Sequence, residues 1–305
     1  MKSIRIGTRG SPLALWQARH VQEHLHQLRD AAAIELVIIE TQGDRDAHAS
    51  LARIGGEGVF TKAIQDALLA GKADVAVHSM KDLPTAAVAG LTLAAIPKRA
   101  SVFDALVSHK HRRFDDLPKE AKVATGSVRR RAQLLHRRPD LHLVDIRGNV
   151  GTRLRKLSES NLDGLILAEA GLCRLGLESH ISELLSVEWM LPAVGQGALG
   201  LECRSDDIET KALVERLDDY PSRQAVLAER AVLRALGGGC QMPLGVHSRC
   251  AMDRGEIFLT GAVLSVDGRQ RVSQTVSGEK ERAEALGARL ADMLLRNGAR
   301  GILAQ

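Results

Sequence analysis

Short β-branched apolar runs alternate with helix-period patterns through the first two hundred residues, the signature of βαβ units around parallel or mixed sheets. Ser3 to Gly7 reads as a strand. Ser11-Pro12 then offers a helix N-cap with proline at the first helical position, and Ala14, Ala18, Val21, Leu25 and Leu28 form the apolar stripe that follows. Ile34 to Glu40 reads as a second strand, Phe60 to Ala70 as a second helix and Ala73 to Val77 as a third strand. Between them Gly43 to Gly58, with four glycines and several charges, reads as a mobile loop. The pattern repeats after Lys98. Strands are expected at Lys122 to Ala124, His142 to Asp145 and Asp163 to Leu167, with helices at Val128 to Arg137 and Val150 to Leu157. From about Ser222 the character changes to one helix, strands near Leu244 to Ser248, Glu256 to Leu264 and Gln270 to Val276, and a long helix from Glu279 to Asn297. The fold class is therefore α/β, two similar lobes followed by an α+β tail with its own core.

Composition narrows the function. The chain has 305 residues, 45% hydrophobic and 26% charged, more than one core usually holds and typical of a soluble protein. The first residues, MKSIRIGTRGS, hold no apolar run of signal-peptide length, and no segment approaches the roughly 18 apolar residues of a membrane helix. A cytoplasmic enzyme or binding protein is the expectation. The net charge of +5 raises the question of nucleic acid, but aromatics are only 2% of the chain and leave few platforms for stacking bases. An anionic small molecule fits better. Cys173, Cys203, Cys240 and Cys250 have no CxxC spacing, and the eleven histidines have no ligand spacing, so no metal site is expected.

Four places carry chemistry. Gly237-Gly238-Gly239 presents Cys240 at a helix stop, with Pro243 preventing helix from resuming, and the missing Cβ atoms leave room beside the sulfur for an attached group or simply mark a loop. GTRGSP sets Arg9 and Ser11 after a strand and at a helix start, where free N–H groups favour an anion. HSMKDLP sets Lys81 and Asp82 directly after the strand ADVAV, at the end where open α/β sheets gather ligands. TGSVRRRAQL caps a helix with Ser127 and fills its first turn with Arg129, Arg130 and Arg131, where cations oppose the helix dipole. Arg147, Arg153 and Arg174 occupy further strand-end positions. Guanidinium forks suit carboxylates, at about 1.5 to 3 kcal/mol for each charge-assisted bond, so the implied ligand carries several. No P-loop, dinucleotide fingerprint or nucleophile elbow competes.

IGTRGSPLALWQA, GGEGVFTK, ADVAVHSMKDLP, TGSVRRRAQL, RGNVGTRLRKL, ILAEAGLCRLGL, LPAVGQGALGLEC and GGGCQMPLG, in this order, closely resemble the porphobilinogen deaminase (hydroxymethylbilane synthase) family over nearly the whole chain. The resemblance implies two periplasmic-binding-protein-like α/β lobes, residues 1–97 with 198–215 and residues 98–197, and a C-terminal α+β domain at 220–305. It implies a transferase that condenses four porphobilinogen molecules on a dipyrromethane cofactor held by a thioether at Cys240 and releases hydroxymethylbilane. Asp82 matches the catalytic aspartate. Lys81, Ser127, Arg129, Arg130, Arg147 and Arg153 match cofactor-binding positions, and Arg9, Ser11, Arg147, Arg153 and Arg174 match substrate-binding ones. A cytoplasmic monomer with no nucleic-acid or membrane partner is implied.

Three residues depart from the family pattern. Glu57 and Arg53 stand where lysines are common, and Glu57 adds negative charge near groups that should attract carboxylates. Gly126 replaces a frequent serine, which removes one hydroxyl donor. The competing reading is a non-catalytic two-lobe receptor for a small polycarboxylate, opposed by the thiol-bearing third domain such receptors do not need.

Overall fold

A computed structural model of the chain describes residues 3–28, 33–41, 58, 61–239, 242–251 and 255–304. It divides into two compact units, residues 1–100 with 197–223 and residues 101–196 with 224–305.

The first unit is built on a five-stranded sheet, ordered β2-β1-β3-β10-β4. Its strands are β1 (Ile4–Thr8), β2 (Ile34–Ile38), β3 (Val75–Ser79), β4 (Leu91–Ala95) and β10 (Leu199–Arg204). β1 pairs parallel with β2 and β3, while β10 runs antiparallel to β3 and β4. The two faces follow the period of two. Ile4, Ile6, Val75, Val77, Leu199 and Leu201 meet Ala18, Val21 and Leu25 of helix α1 (Pro12–Leu28) on one side. On the other side Ala76 meets Ile64 and Leu68 of α2 (Lys62–Leu69). Ser11 starts α1 as its sequence suggests: its Oγ accepts from Ala14 N at 3.3 Å and its carbonyl from Leu15 N at 2.9 Å.

The second unit repeats this topology. Its sheet, ordered β7-β6-β8-β5-β9, uses β5 (Asp104–Val107), β6 (Lys122–Ala124), β7 (His142–Val144), β8 (Gly164–Ala168) and β9 (Ile181–Leu185). Here β6 pairs parallel with β7 and β8, and β5 crosses antiparallel between β8 and β9. Leu106, Val123 and Ile166 pack with Leu134 of α3 (Val128–Arg137), and Ala105, Val107, Leu165 and Leu167 with Leu157 of α4 (Val150–Glu159). The short helix α5 (Glu169–Arg174) follows β8. In the first unit, α6 (Ile208–Glu215) follows β10.

The tail belongs to the second unit. An antiparallel meander of β11 (Leu244–Ala251), β12 (Glu256–Leu264) and β13 (Arg271–Glu279) buries Val246, Ile257, Leu259 and Val276 against α7 (Tyr220–Ala235) and α8 (Ala283–Leu294). Its β12–β13 turn docks on α3. Gly268 has φ +74°, a Cβ there would stand 2.5 Å from His136 N and 2.8 Å from Ala132 O, and its carbonyl lies 2.8 Å from His136 Nδ1. Only glycine allows that approach.

Two expectations differ from the structure. The long helix expected from Glu279 starts later, because β13 keeps its pairing with β12 as far as Glu279 opposite Glu256. It also breaks near its end, where Gly298 has φ +106° before the last turn, Arg300–Leu303. The sequence reading also names no strand at β4, β5, β9 or β10. The Gly43 to Gly58 loop lies outside the described residues except for Gly58. No helix among the described residues is long and apolar enough to cross a membrane.

Candidate active site

In the first unit, β3 ends at Ser79 and the chain tightens into a 3-10 turn, Met80–Asp82, tied back by Met80 N donating to Ala198 O at 3.0 Å. The turn leaves Asp82 exposed and Lys81 half-buried. At the C-terminal ends of β1 and β3 a pocket opens, walled by Arg9, Ser11, Gln17, His78, Ser79 and Asp82 among others. The structure thus brings Arg9, Ser11 and Asp82 together, while Lys81 stands on the same turn outside the pocket lining. Gln17, His78 and Ser79 escaped the sequence reading. A signal was present: Gln17 interrupts the buried stripe of α1, and His78 and Ser79 end an apolar strand with polar side chains. Gln17 Nε2 donates to Ser79 Oγ at 2.9 Å, which fixes both side chains beside Asp82.

The second unit handles its basic residues differently. Ser127 caps α3, its Oγ accepting from Arg130 N at 3.4 Å. The cations in that first turn have an internal counterion: Asp104, the first residue of β5, is fully buried between Arg129 and Arg130. Arg130 Nη2 and Nε approach Asp104 Oδ1 at 2.7 and 3.0 Å, and Arg129 Nη1 lies 2.7 Å from Oδ2. Gln196 Nε2 adds 2.9 Å to Oδ1, and the two arginines also donate to Leu191 O and Ile166 O at 2.5 and 3.0 Å. Burial alone would raise the Asp104 pKa, but Arg129 and then Arg130 overcome it and hold the carboxyl below the usual range. Burial, aided by the neighbouring Arg130, lowers the Arg129 pKa against the pull of Asp104. Two guanidiniums face one carboxylate, and Arg129 Nε is buried without a hydrogen-bond partner among the described residues.

The other three arginines are more open. Arg147 Nε donates to Asp145 Oδ2 at 3.1 Å in a pair that is 37% and 61% exposed. Arg153 Nε, in the first turn of α4, donates to Gly148 O at 2.7 Å, which ties it to the loop of Arg147, and Asn149 caps α4 by accepting from Thr152 N at 2.8 Å. Arg174 ends α5, and burial draws its guanidinium down to about 10. Gly126 also has a local reason. A Cβ there would lie 2.7 Å from Ile146 O, so a serine would force the loop carrying Arg147 to move.

Cys240 lies outside the described residues, as do Arg53 and Glu57. Its approach is described: α7 stops at Ala235, Gly237 takes φ +66°, and Gly238 N donates to Leu233 O at 3.1 Å. This is a glycine-terminated helix, and β11 begins at Leu244.

Comparison with known proteins covers both units. The family described as "Porphobilinogen deaminase, dipyromethane cofactor binding domain" matches residues 4–212, and "Porphobilinogen deaminase, C-terminal domain" matches residues 223–296. The chain is 50% identical to the porphobilinogen deaminase of Syntrophotalea carbinolica over 302 residues, 99% of this chain and 95% of that protein. It is 50% identical to that of Pelobacter propionicus over 304 residues, covering 99% and 96%, and 49% identical to that of Geobacter metallireducens over 304 residues, covering 100% and 95%. Among solved structures, the methionine-binding protein MetQ aligns with a TM-score of 0.45 at 13% identity, over 73% of this chain and 90% of that one.

Proposed function

Because the chain belongs to the porphobilinogen deaminase family, we propose that it joins porphobilinogen molecules head to tail with loss of ammonia, four per cycle, and releases hydroxymethylbilane by hydrolysis. The observation that carries the reading is the pocket at the ends of β1 and β3, where an exposed carboxylate, Asp82, stands with Arg9 and Ser11. The substrate has two carboxylates and an aminomethyl group on a pyrrole. In this reading Arg9 and Ser11 hold a substrate carboxylate, and Asp82 faces the positive charge that the ring acquires as ammonia departs. Fixed charge placed where charge develops is typically the largest single contribution to catalysis. Arg147, Arg153 at the start of α4, and Arg174 supply further guanidiniums for carboxylates, with Lys81 and Ser127 as additional donors.

The dipyrromethane group that the family uses suits the residues present. The surplus positive charge around Asp104 and the Arg129 Nε that has no hydrogen-bond partner among the described residues favour a group bearing carboxylates, and Cys240 offers the sulfur for its attachment. When bound, that group supplies the pyrrole carbon to which the first substrate unit is joined. The functional modules are residues 1–97 with 198–215, residues 98–197 and residues 220–305, in an enzyme acting as a cytoplasmic monomer without a nucleic-acid or membrane partner.

Intact mass and a pyrrole-reagent assay test the reading. The purified protein is expected to carry two pyrrole units on Cys240, and Cys240→Ala to lose both those units and nearly all activity, since a methyl group cannot form a thioether. The same change at Cys173, Cys203 or Cys250 should have much smaller effect. A pyrrole-free but stoichiometric carboxylate binder would instead be the two-lobe receptor.

A further inference from the structure

The pocket that holds Asp82 has a buried wall with chemistry of its own. His78, the fourth residue of β3, is 4% exposed, and Glu202 on β10 is 6% exposed. In the β3–β10 register Gly200 stands opposite His78 and Glu202 opposite Ala76, so the two side chains are diagonal neighbours on one sheet face. His78 Nε2 lies 3.2 Å from Glu202 Oε2, off the line of a hydrogen bond. From α2, Gln65 Nε2 reaches the two carboxylate oxygens at 3.0 and 3.2 Å. His78 also walls the pocket with Arg9 and Asp82. Among the described residues the charged groups facing the imidazole are therefore Glu202 from β10, Arg9 from the β1–α1 turn and Asp82 from the turn after β3; α2 contributes only the neutral Gln65. A buried carboxylate–imidazole pair is a poor device for stability, because desolvation offsets most of the attraction. Against a pocket where charge develops, it has another use.

We propose that Glu202, held against His78 and Gln65, is an electrostatic element of the Asp82 pocket. Its carboxylate places a second negative charge behind Asp82 and stabilises the cation that forms on the substrate ring. The proposal rests on the deaminase reading. As the substrate C–N bond breaks, its electron pair leaves with the nitrogen in ammonia and the ring keeps the positive charge. No atom passes to His78 or Glu202. One unit charge acting over roughly 10 Å at an effective dielectric of about 20 is enough for about a tenfold effect on rate.

Steady-state kinetics of the pyrrole-loaded enzyme test the element, with loading and melting temperature followed in parallel. Glu202→Gln is expected to lower kcat about tenfold with KM within about twofold. Glu202→Asp, which keeps the charge, should restore kcat to within about twofold of wild type and also covers the case in which Glu202→Gln fails to fold. Wild-type kcat in Glu202→Gln, a change confined to melting temperature, or a tenfold loss in Glu202→Asp would each overturn the proposal. Failure of the deaminase reading is distinct, since the wild-type protein would then carry no pyrrole at all.

Discussion

Asp82 and Asp104 are both aspartates at strand ends beside basic residues, and the two units of the molecule use them in opposite ways. Asp82 sits on an exposed turn at the mouth of a pocket, where its carboxylate stays open to a ligand. Asp104 is sealed inside the second unit with Arg129 and Arg130, and its charge is consumed by holding two guanidiniums in place. Arginine-rich sequence therefore does not translate directly into ligand-facing charge. In α3 the cations that the helix dipole disfavours are anchored from within, and a ligand meets at most the surplus of one positive charge.

The largest expected effect separates the two aspartates by stability. Asp104→Asn leaves two buried guanidiniums without a counterion, and breaking such a cluster costs about 3 to 5 kcal/mol. Urea unfolding should register that loss, while Asp82→Asn, at an exposed site, should stay within about 0.5 kcal/mol of wild type. Equal stabilities for the two variants would erase the contrast. Arg130→Leu is milder on the same scale, because it leaves Arg129 and Asp104 as a balanced pair.

Next in size is the kinetic counterpart. Asp82→Asn keeps shape and hydrogen-bonding capacity while deleting the charge, so it should lose about 3 to 4 kcal/mol of transition-state stabilisation, a slowing of roughly two to three powers of ten. The variant should still fold and still carry pyrrole units, with partly elongated species visible by intact mass. Wild-type turnover would refute its role.

These two positions were not equally legible in the sequence. Asp82 lies in a polar segment directly after an apolar strand, a place where chemistry is expected, and α3 begins at its capping serine and ends at Arg137 as its pattern predicts. Asp104 lies inside SVFDALV, where one acid among apolar residues carries no local sign of its partners. Its pairing with Arg129 and Arg130 comes from the sheet placing β5 beside the start of α3, which is a tertiary event. The strands missed, β4, β5, β9 and β10, are the ones whose pairings in the two five-stranded sheets are all antiparallel, outside the βαβ alternation that the pattern displays; length is not the reason, since β6 and β7, with three residues each, were expected. His78 and Gln17 were legible in principle, as polar residues at positions the periodicity assigns to the interior, but only the packed structure shows that they converge on Asp82.

Acid should weaken the fold through its buried, ion-paired carboxylates. Asp74, fully buried with Arg5 and Arg204, has its pKa lowered to about 2: burial would raise it, and the Arg5 hydrogen bonds chiefly reverse that. A carboxyl depressed in the folded state stabilises the protein fully above its unfolded value near 3.8, and the contribution fades as pH falls toward the folded value. Stability should thus be level near neutrality and drop below about pH 4. Asp74→Asn should be less stable than wild type at neutral pH and show a shallower acid drop, measured by unfolding at a series of pH values. An unchanged acid slope would remove Asp74 from the account.

The smallest effect sharpens the comparison most, because it repeats the Asp104 substitution at an open site. Asp145 also pairs with an arginine, Arg147, at 3.1 Å, but the aspartate is 61% exposed and water competes for both partners. Exposed pairs of this kind contribute about 0 to 1 kcal/mol, so Asp145→Asn should change unfolding stability by less than about 1 kcal/mol where Asp104→Asn loses several times as much. Function should move the other way. With its internal partner gone, Arg147 offers a less neutralised guanidinium to a substrate carboxylate, and KM should fall by a factor of about two to five at low ionic strength. Salt screens exposed charges over about 10 Å at 0.1 M and only about 3 Å at 1 M, so the gain should disappear in molar salt. A rise in KM, or a gain that survives molar salt, would mean that Asp145 orients Arg147 rather than occupying it, and the line between anchored and open arginines would then run through this loop as well.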